Sequence, residues 1–256
     1  MVTVARTDAV IVLMDSEKKV TISWSGGKDS AFALYKILAA GEYEVVSLHT
    51  IINSENKRVG LHGVREDLIE MQAHAIGIPL VKLYLKSSGD NNSFEALTSS
   101  FYDECARKKI SAVVFGDIFL EELKVYREEI IKDSGLHAIF PLWQIDSSKL
   151  IADFIDLGFQ TVICSADATH FGKKFLGRSM DHEMMRSFPD DVDPCGERGE
   201  FHSFVCNGPI FNKPVPVTNG EVVLRWYDYQ KKNTDGSTQA QRSAFWFQEL
   251  FPTTES

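Results

Sequence analysis

From Val20 onward, short apolar runs alternate with longer stretches of helical periodicity, and that alternation leaves few architectures open. Val20–Trp24, Val45–His49, Leu80–Leu85 and Ala112–Phe115 read as strands. Between them, Asp29–Ala40 carries Phe32, Leu34, Tyr35 and Leu38 and stops at Gly41. Val64, Leu68, Met71 and Ala75 share one helical face that stops at Gly77 and Pro79. Ser93 can cap a third helix bearing Phe94, Leu97, Phe101 and Cys105, and a fourth runs to Gly135. Strands joined by helices must pair in parallel through right-handed crossovers, with both faces of the sheet covered. The expected fold is therefore α/β, a parallel-sheet sandwich whose ligands bind at the carboxyl ends of the strands.

One further cycle follows, through His137–Trp143, Leu150–Leu157 and Thr161–Cys164, and then the texture changes. Residues 189–216 are rich in proline and glycine, and Val222–Tyr229 follows the turn pair Asn219-Gly220 as the second strand of a hairpin would. The tail is polar until Phe245, Trp246, Phe247, Leu250 and Phe251, which predict a short docked helix. These shifts divide the chain into an extension over 1–17, a nucleotide-binding unit over 18–136, a smaller α+β substrate-side unit over 137–230 and a tail over 231–256. Met14 is a second candidate start, because residues 1–13 precede the first readable strand.

A net charge of -9 argues against non-specific binding to nucleic acid or anionic membranes. No apolar run approaches the roughly 18 residues of a membrane span, and no signal-like cleavage pattern follows Ala9–Met14, so a cytoplasmic address is expected. The four cysteines form no C-x-x-C pair, which speaks against zinc or a disulfide framework. Cys164 and Cys195 read as packing residues, as do Trp24 and Trp143.

The chemical signal is Ser25-Gly26-Gly27-Lys28-Asp29-Ser30, set between the first strand and the first helix. Its glycines let the backbone approach a ligand, and the amides that follow sit at the positive end of a helix, ready for phosphate oxygens. A Walker loop is excluded, because Ile22 stands where its first glycine belongs and Asp29 follows Lys28.

Ser-Gly-Gly-x-Asp-Ser resembles the signature of the PP-loop ATP pyrophosphatases, which cleave ATP between its α and β phosphates and adenylate a substrate. Within that superfamily the chain is similar to the diphthine-ammonia ligase (diphthamide synthase) family. The likeness is carried by Leu61-His62-Gly63-Val64-Arg65, Gly77-Ile78-Pro79-Leu80, Phe140-Pro141-Leu142-Trp143, Gly177-Arg178 and Gly196-Glu197-Arg198-Gly199-Glu200-Phe201-His202-Ser203-Phe204. Where archaeal and eukaryotic members read Gly-Ala-Ile and then Ser-Asp-Tyr-Gln, this chain reads Gly116-Asp117-Ile118-Phe119-Leu120-Glu121-Glu122, and it lacks extra C-terminal modules. Both features resemble a bacterial-type branch.

The resemblance implies an adenine nucleotide alpha hydrolase-like fold and an AMP-forming ligase that uses ATP and Mg²⁺ to join ammonia or an amine to a small-molecule or protein-borne carboxylate. A homodimer is compatible with it. Ser25, Gly26, Gly27, Asp29 and Ser30 would cradle the phosphates, and adenine would lie against Leu48, His49 and Thr50. Lys28 would neutralise developing charge or point to solvent. Asp29 would shape the loop or reach phosphate through Mg²⁺. Asp117 would bind metal or substrate in the cleft, or cap a helix. His62 and Arg65 would meet phosphate or a substrate carboxylate. An extended stretch puts Glu200 and His202 on one face, where they and Glu197 would bind a cationic substrate or handle the amine proton. The alternatives are the same adenylation applied to RNA thiolation or amination, and an ATP-binding sensor without turnover.

Overall fold

The computed structural model describes residues 18–60, 62–86, 91–232 and 238–253. The proposed N-terminal extension, Met14 and Leu61 lie outside them. Lys18–Ser23 forms β1, and Lys28–Ala40 forms α1. Tyr43–Asn53 forms β2, followed by two short strands, Arg58–Val59 (β3) and Val64–Arg65 (β4), that the hydrophobic pattern does not announce. Then come α2 (Glu66–Ile76), β5 (Leu80–Leu85), α3 (Asn91–Arg107), β6 (Ala112–Val114), α4 (Glu121–Ile131) and β7 (His137–Ile139). Ser93 falls inside α3 rather than at its cap.

The parallel strands of this first sheet lie in the order β5-β2-β1-β6-β7, with β3 and β4 added in antiparallel fashion beyond Ile52 of β2. Val20 and Ile22 on one face of central β1 and Thr21 on the other are fully buried, as a strand covered on both faces requires. From β1 the chain winds outward first through β2 and β5, and later through β6 and β7. The strand order therefore reverses between β1 and β6, which opens a crevice at their carboxyl ends. Helix α2 stops at Gly77, whose φ of 85° places it in the left-handed region where its N–H caps Ala73 O at 2.9 Å.

The second sheet is antiparallel, in the order β10-β11-β8-β9, from Gln160–Asp167 (β8), Phe201–Asn207 (β9), Val217–Lys232 (β10) and Thr238–Pro252 (β11). Four sequence expectations are corrected here. Residues 137–139, read as the start of the smaller unit, pair with β6 as the edge of the first sheet. The run Thr161–Cys164 does not extend the parallel pattern but pairs antiparallel with β9, while the end of the same strand, Ser165–Asp167, pairs with β11. The aromatic tail is a strand, because β10 offers it a partner along nearly its whole length and cross-strand pairing outweighs an ambiguous apolar pattern. Asn219-Gly220 is accordingly no hairpin turn. It lies within β10 at a register shift, with the Asn219 Nδ2 donating to Gly177 O at 3.0 Å.

One core runs through both sheets. Helix α5 (Ser147–Asp156) brings Phe154 against Phe159, stacked at 4.3 Å, and both rings meet Phe32 of α1. Phe201 and Phe204 of β9 belong to the same cluster. A four-residue helix, α6 (His182–Met185), adds Met184 to it. Truncating a buried phenylalanine such as Phe154 to alanine costs about 3–5 kcal/mol. Among the described residues no helix is long and apolar enough to cross a membrane.

Candidate active site

The run Ser25–Ser30 occupies the crevice between β1 and β6. Gly26 has φ 81°, and a Cβ there would lie 2.5 Å from Ile69 Cδ1 and 2.7 Å from Gln72 Oε1, so only glycine fits. Gly27 stands at the N-cap of α1 in extended conformation without a side-chain cap of its own, and with the Lys28 amide taken by Ser203 Oγ it is the Asp29 and Ser30 amides that are left for a ligand. Ser30 Oγ donates to Gly27 O at 3.0 Å, and Ser25 Oγ accepts from the Gly27 amide at 3.3 Å. From the opposite wall, the β6 end reaches the helix start so closely that a Cβ on Gly116 would sit 2.8 Å from the Asp29 backbone carbon.

Strand β9 lies directly on the loop. The Val205 amide donates to Gly26 O at 3.0 Å, and the Lys28 amide donates to Ser203 Oγ at 3.1 Å. Fully buried Gln72 of α2 ties the parts together. Its Nε2 donates to Gly26 O at 2.9 Å and Val205 O at 2.7 Å, while its Oε1 accepts from Trp24 Nε1 at 3.0 Å.

Two adjoining cavities result. The polar one, about 230 Å³, is lined by Ser25, Lys28, Asp29, Ser30, His62, Asp117, Glu197 and His202 among others. Lys28 is 3% exposed and pairs with Asp29 at 2.8 Å. Burial alone would lower its pKa, but Asp29 and the other nearby acids outweigh that and hold the ammonium above its usual value. Asp117 faces Arg127 of α4 at 3.6 Å. Each cation of the cavity thus has its own anion, and Glu197 is left over. Its Oε1 accepts from the Ile118 amide at 2.7 Å. Burial, with Asp29 adding to it against the pull of that amide, pushes Glu197 up to about 7. The ring of His62 lies 4.6 Å from that of His202. His62 Nδ1 is 3.1 Å from Ser203 O and must donate to it, so its Nε2 is a bare acceptor. Burial lowers His62 to about 4 and His202 well below its ordinary value, so both are neutral. The Nε2 of His202 is buried without a partner.

The second cavity, about 430 Å³, is lined more by apolar groups, including Trp24, Phe94 and Tyr102, and by His49 and Thr50. His49 Nδ1 bonds Thr21 Oγ1 at 3.1 Å, whereas His49 Nε2 and Thr50 Oγ1 are buried and unpartnered. Burial, reinforced by Arg127, lowers His49 to about 3. An apolar slot with isolated polar atoms suits a flat heteroaromatic base.

Three expected site residues stand elsewhere. Leu48 is fully buried in the core. Arg65 is half-buried, pairing with Asp67 at 3.1 Å and lying near Glu249 at 3.9 Å, because the β3–β4 pair turns it away from the crevice. Glu200 is buried outside the cavity. Its Oε1 accepts from the Asp193 amide at 3.0 Å, and Asp193 Oδ1 in turn accepts from the amides of Cys195 and Glu197. Glu200 precedes β9, which begins at Phe201, so strand alternation does not carry it to the face of His202, and it braces the segment that presents Glu197. Among the described residues no group of three or more His, Cys, Asp or Glu is placed to hold a metal. Asp117 and Asp29 each already face a cation, so they suit an ion arriving with phosphates rather than a resident one. Cys195 donates to Ser147 O, and burial pushes its thiol up to about 12.

Sequence reasoning missed Arg127, Gln72 and Ser203. Arg127 hides in the charged run of α4, and Gln72 sits on an apolar helical face, where a lone buried polar residue was the signal available.

Comparison with known proteins places these elements in a family. The diphthamide synthase N-terminal domain matches residues 18–138, and the diphthamide synthase C-terminal domain matches residues 146–234. The chain is 28% identical over 218 residues to the diphthine-ammonia ligase of Schizosaccharomyces pombe, covering 78% of this chain and 36% of that protein. It is 26% identical over 231 residues to the human diphthine-ammonia ligase, covering 80% of this chain and 84% of that one. The Danio rerio diphthine-ammonia ligase is 25% identical over 231 residues, covering 78% and 86%. The chain therefore spans about a third of the fission-yeast protein and most of the vertebrate ones. A solved U34-tRNA thiolase from Methanococcus maripaludis aligns over 55% of this chain and 57% of its own, with 17% identity and a TM-score of 0.34.

Proposed function

The chain belongs to the diphthamide synthase family, and from that premise we propose that it is an ATP-dependent, AMP-forming ligase that converts a carboxylate to an amide with ammonia. The observation that carries this reading is the meeting of two walls in one cavity. An open helix N-terminus suited to phosphate faces Glu197, His62 and His202, which are acceptors suited to an amine proton.

In this reading the nucleoside fills the larger cavity, with His49 and Thr50 beside the base, and the β and γ phosphates lie on Ser25–Ser30. A substrate carboxylate oxygen attacks the α-phosphorus, the bond to the bridging oxygen of the β-phosphate breaks, and pyrophosphate leaves. Lys28 and the loop amides stabilise that charge from fixed positions. Mg²⁺ held by the phosphates with Asp117 or Asp29 would supply further neutralisation of the leaving pyrophosphate. Ammonia nitrogen then attacks the acyl carbon, AMP departs with the electron pair of the carbon–oxygen bond, and the proton shed by nitrogen passes to Glu197. The described thiols weigh against sulfur transfer to RNA, since burial raises those of Cys105, Cys164, Cys195 and Cys206. A cytoplasmic enzyme acting on a carboxylate of the diphthine type, as its relatives' names state for them, fits the acidic surface and the cleft.

The test is incubation with ATP, Mg²⁺, ¹⁵N-ammonium and a diphthine-bearing acceptor. AMP, pyrophosphate and ¹⁵N in the product are expected. Accumulation of ADP, or ATP binding without turnover on any carboxylate, would overturn the reading.

A further inference from the structure

We propose that Arg127 binds the α-phosphate of the nucleotide, at the junction of the two cavities. The inference rests on the ligase reading above for the identity of the nucleotide. Arg127 lies within α4, and among the described residues only it, Ser23 and Ser25 line both cavities. A nucleotide with its nucleoside in the larger cavity and its pyrophosphate on the loop must cross that junction at the α-phosphate.

The guanidinium is held but not satisfied. Its carbon lies 5.2 Å from the centroid of the Phe115 ring, a cation–π contact that fixes the side chain from the β6 side. Its Nε faces Asp117 Oδ2 at 3.6 Å, too long for a hydrogen bond, and is buried without a hydrogen-bond partner. A buried donor left unpaired is costly, and a planar fork of donors beside a polar cavity matches phosphate oxygens. Asp117 neutralises the arginine through space while leaving those donors unclaimed. The other cation of the polar cavity, Lys28, directs two of its three N–H donors to the oxygens of Asp29 at 2.8 Å and does not line the larger cavity. Arg127 is therefore the cation with donors to offer at the point where bond breaking occurs.

Calorimetric titration of the full chain with adenosine, AMP and ATP tests this, since AMP and adenosine differ only by the α-phosphate. Arg127→Met should weaken AMP and ATP by at least about tenfold, the loss of a charged hydrogen bond, and leave adenosine within about twofold. Arg127→Lys should recover part of the loss, and thermal melting should show both variants folded. Equal weakening of adenosine would make Arg127 a structural support of the cavity and overturn the proposal. Weakening of ATP alone would overturn the α-phosphate assignment in favour of the β or γ position, and unchanged AMP and ATP would remove Arg127 from the site. Failure of the wild-type chain to bind ATP would instead defeat the ligase reading itself.

Discussion

The two walls of the polar cavity are built in opposite ways. The phosphate-loop wall is one contiguous run, Ser25–Ser30, whose shape follows from a glycine at φ 81° and the start of α1. The facing wall is assembled from distant pieces: His62 before β4, Asp117 after β6, Glu197 in the turn before β9, and His202 and Ser203 in β9. Local backbone geometry suffices for the first. The second exists only because β9 is bonded onto the loop through Gly26, Lys28 and Gln72. The shape of the loop wall is therefore set largely locally, while the facing wall depends on the docking of the two sheets.

The sharpest way to break this contrast is Gly27→Val, which touches both walls. A Cβ at Gly27 would lie 2.7 Å from His62 Cε1 and 3.0 Å from Ser203 O. The strand can yield only by leaving the loop, so ATP binding should fall by more than about 100-fold, with overpacking costing about 1–3 kcal/mol of stability. Calorimetry giving wild-type ATP affinity for the folded variant would refute the phosphate-loop assignment.

Gln72→Leu keeps volume but removes the tie between the walls. It strands Trp24 Nε1 and Val205 O, both now satisfied, at about 2–4 kcal/mol for two buried groups left unpaired. Denaturant unfolding measures it. A loss below about 1 kcal/mol would mean that β9 is held by packing alone.

Titration sharpens the comparison within the second wall, where the groups carry opposite signs. Glu197 is raised from 4.5 to about 7 by burial. Its contribution to stability is fully present below pH 4.5 and is lost as pH rises through about 7. His62 is lowered by burial from 6.5 to about 4, so its contribution is present above pH 6.5 and is lost as pH falls toward 4. Glu197→Gln should therefore flatten the alkaline decline in stability and also abolish a rise in acceptor-dependent turnover centred near pH 7. ATP binding should barely change. A Gln variant that keeps the wild-type pH profile would take the amine proton away from this residue.

The smallest effect is expected at Arg65, which the family likeness put at the cleft and the structure puts on the surface. Arg65→Ala removes surface ion pairs worth about 0–1 kcal/mol and should leave turnover unchanged. A marked loss of acceptor-dependent rate would show that the β3–β4 segment closes over the site.

Much of the first sheet was legible because its strands are short apolar runs bounded by helix stops, and residues 80–85 were read to the residue. The turn at Ser25–Ser30 was legible for the same reason, since glycine backbone freedom and a helix start are local properties. The second sheet was not. Antiparallel partners such as 217–232 and 238–252 select one another by cross-strand contact, so Phe245, Phe247 and Leu250 looked helical until a neighbouring strand fixed their register.

The amino-acid sequence by itself determined the alternating fold, the loop at the switch point and the family, because each is written in contiguous residues whose conformational preferences are intrinsic. Only the tertiary structure decided that Glu200 turns inward while Glu197 reaches the cavity, and that Arg65 leaves the crevice while Arg127 enters it. Those outcomes depend on which buried polar atoms find partners across residues far apart in the chain, a quantity that no local preference contains.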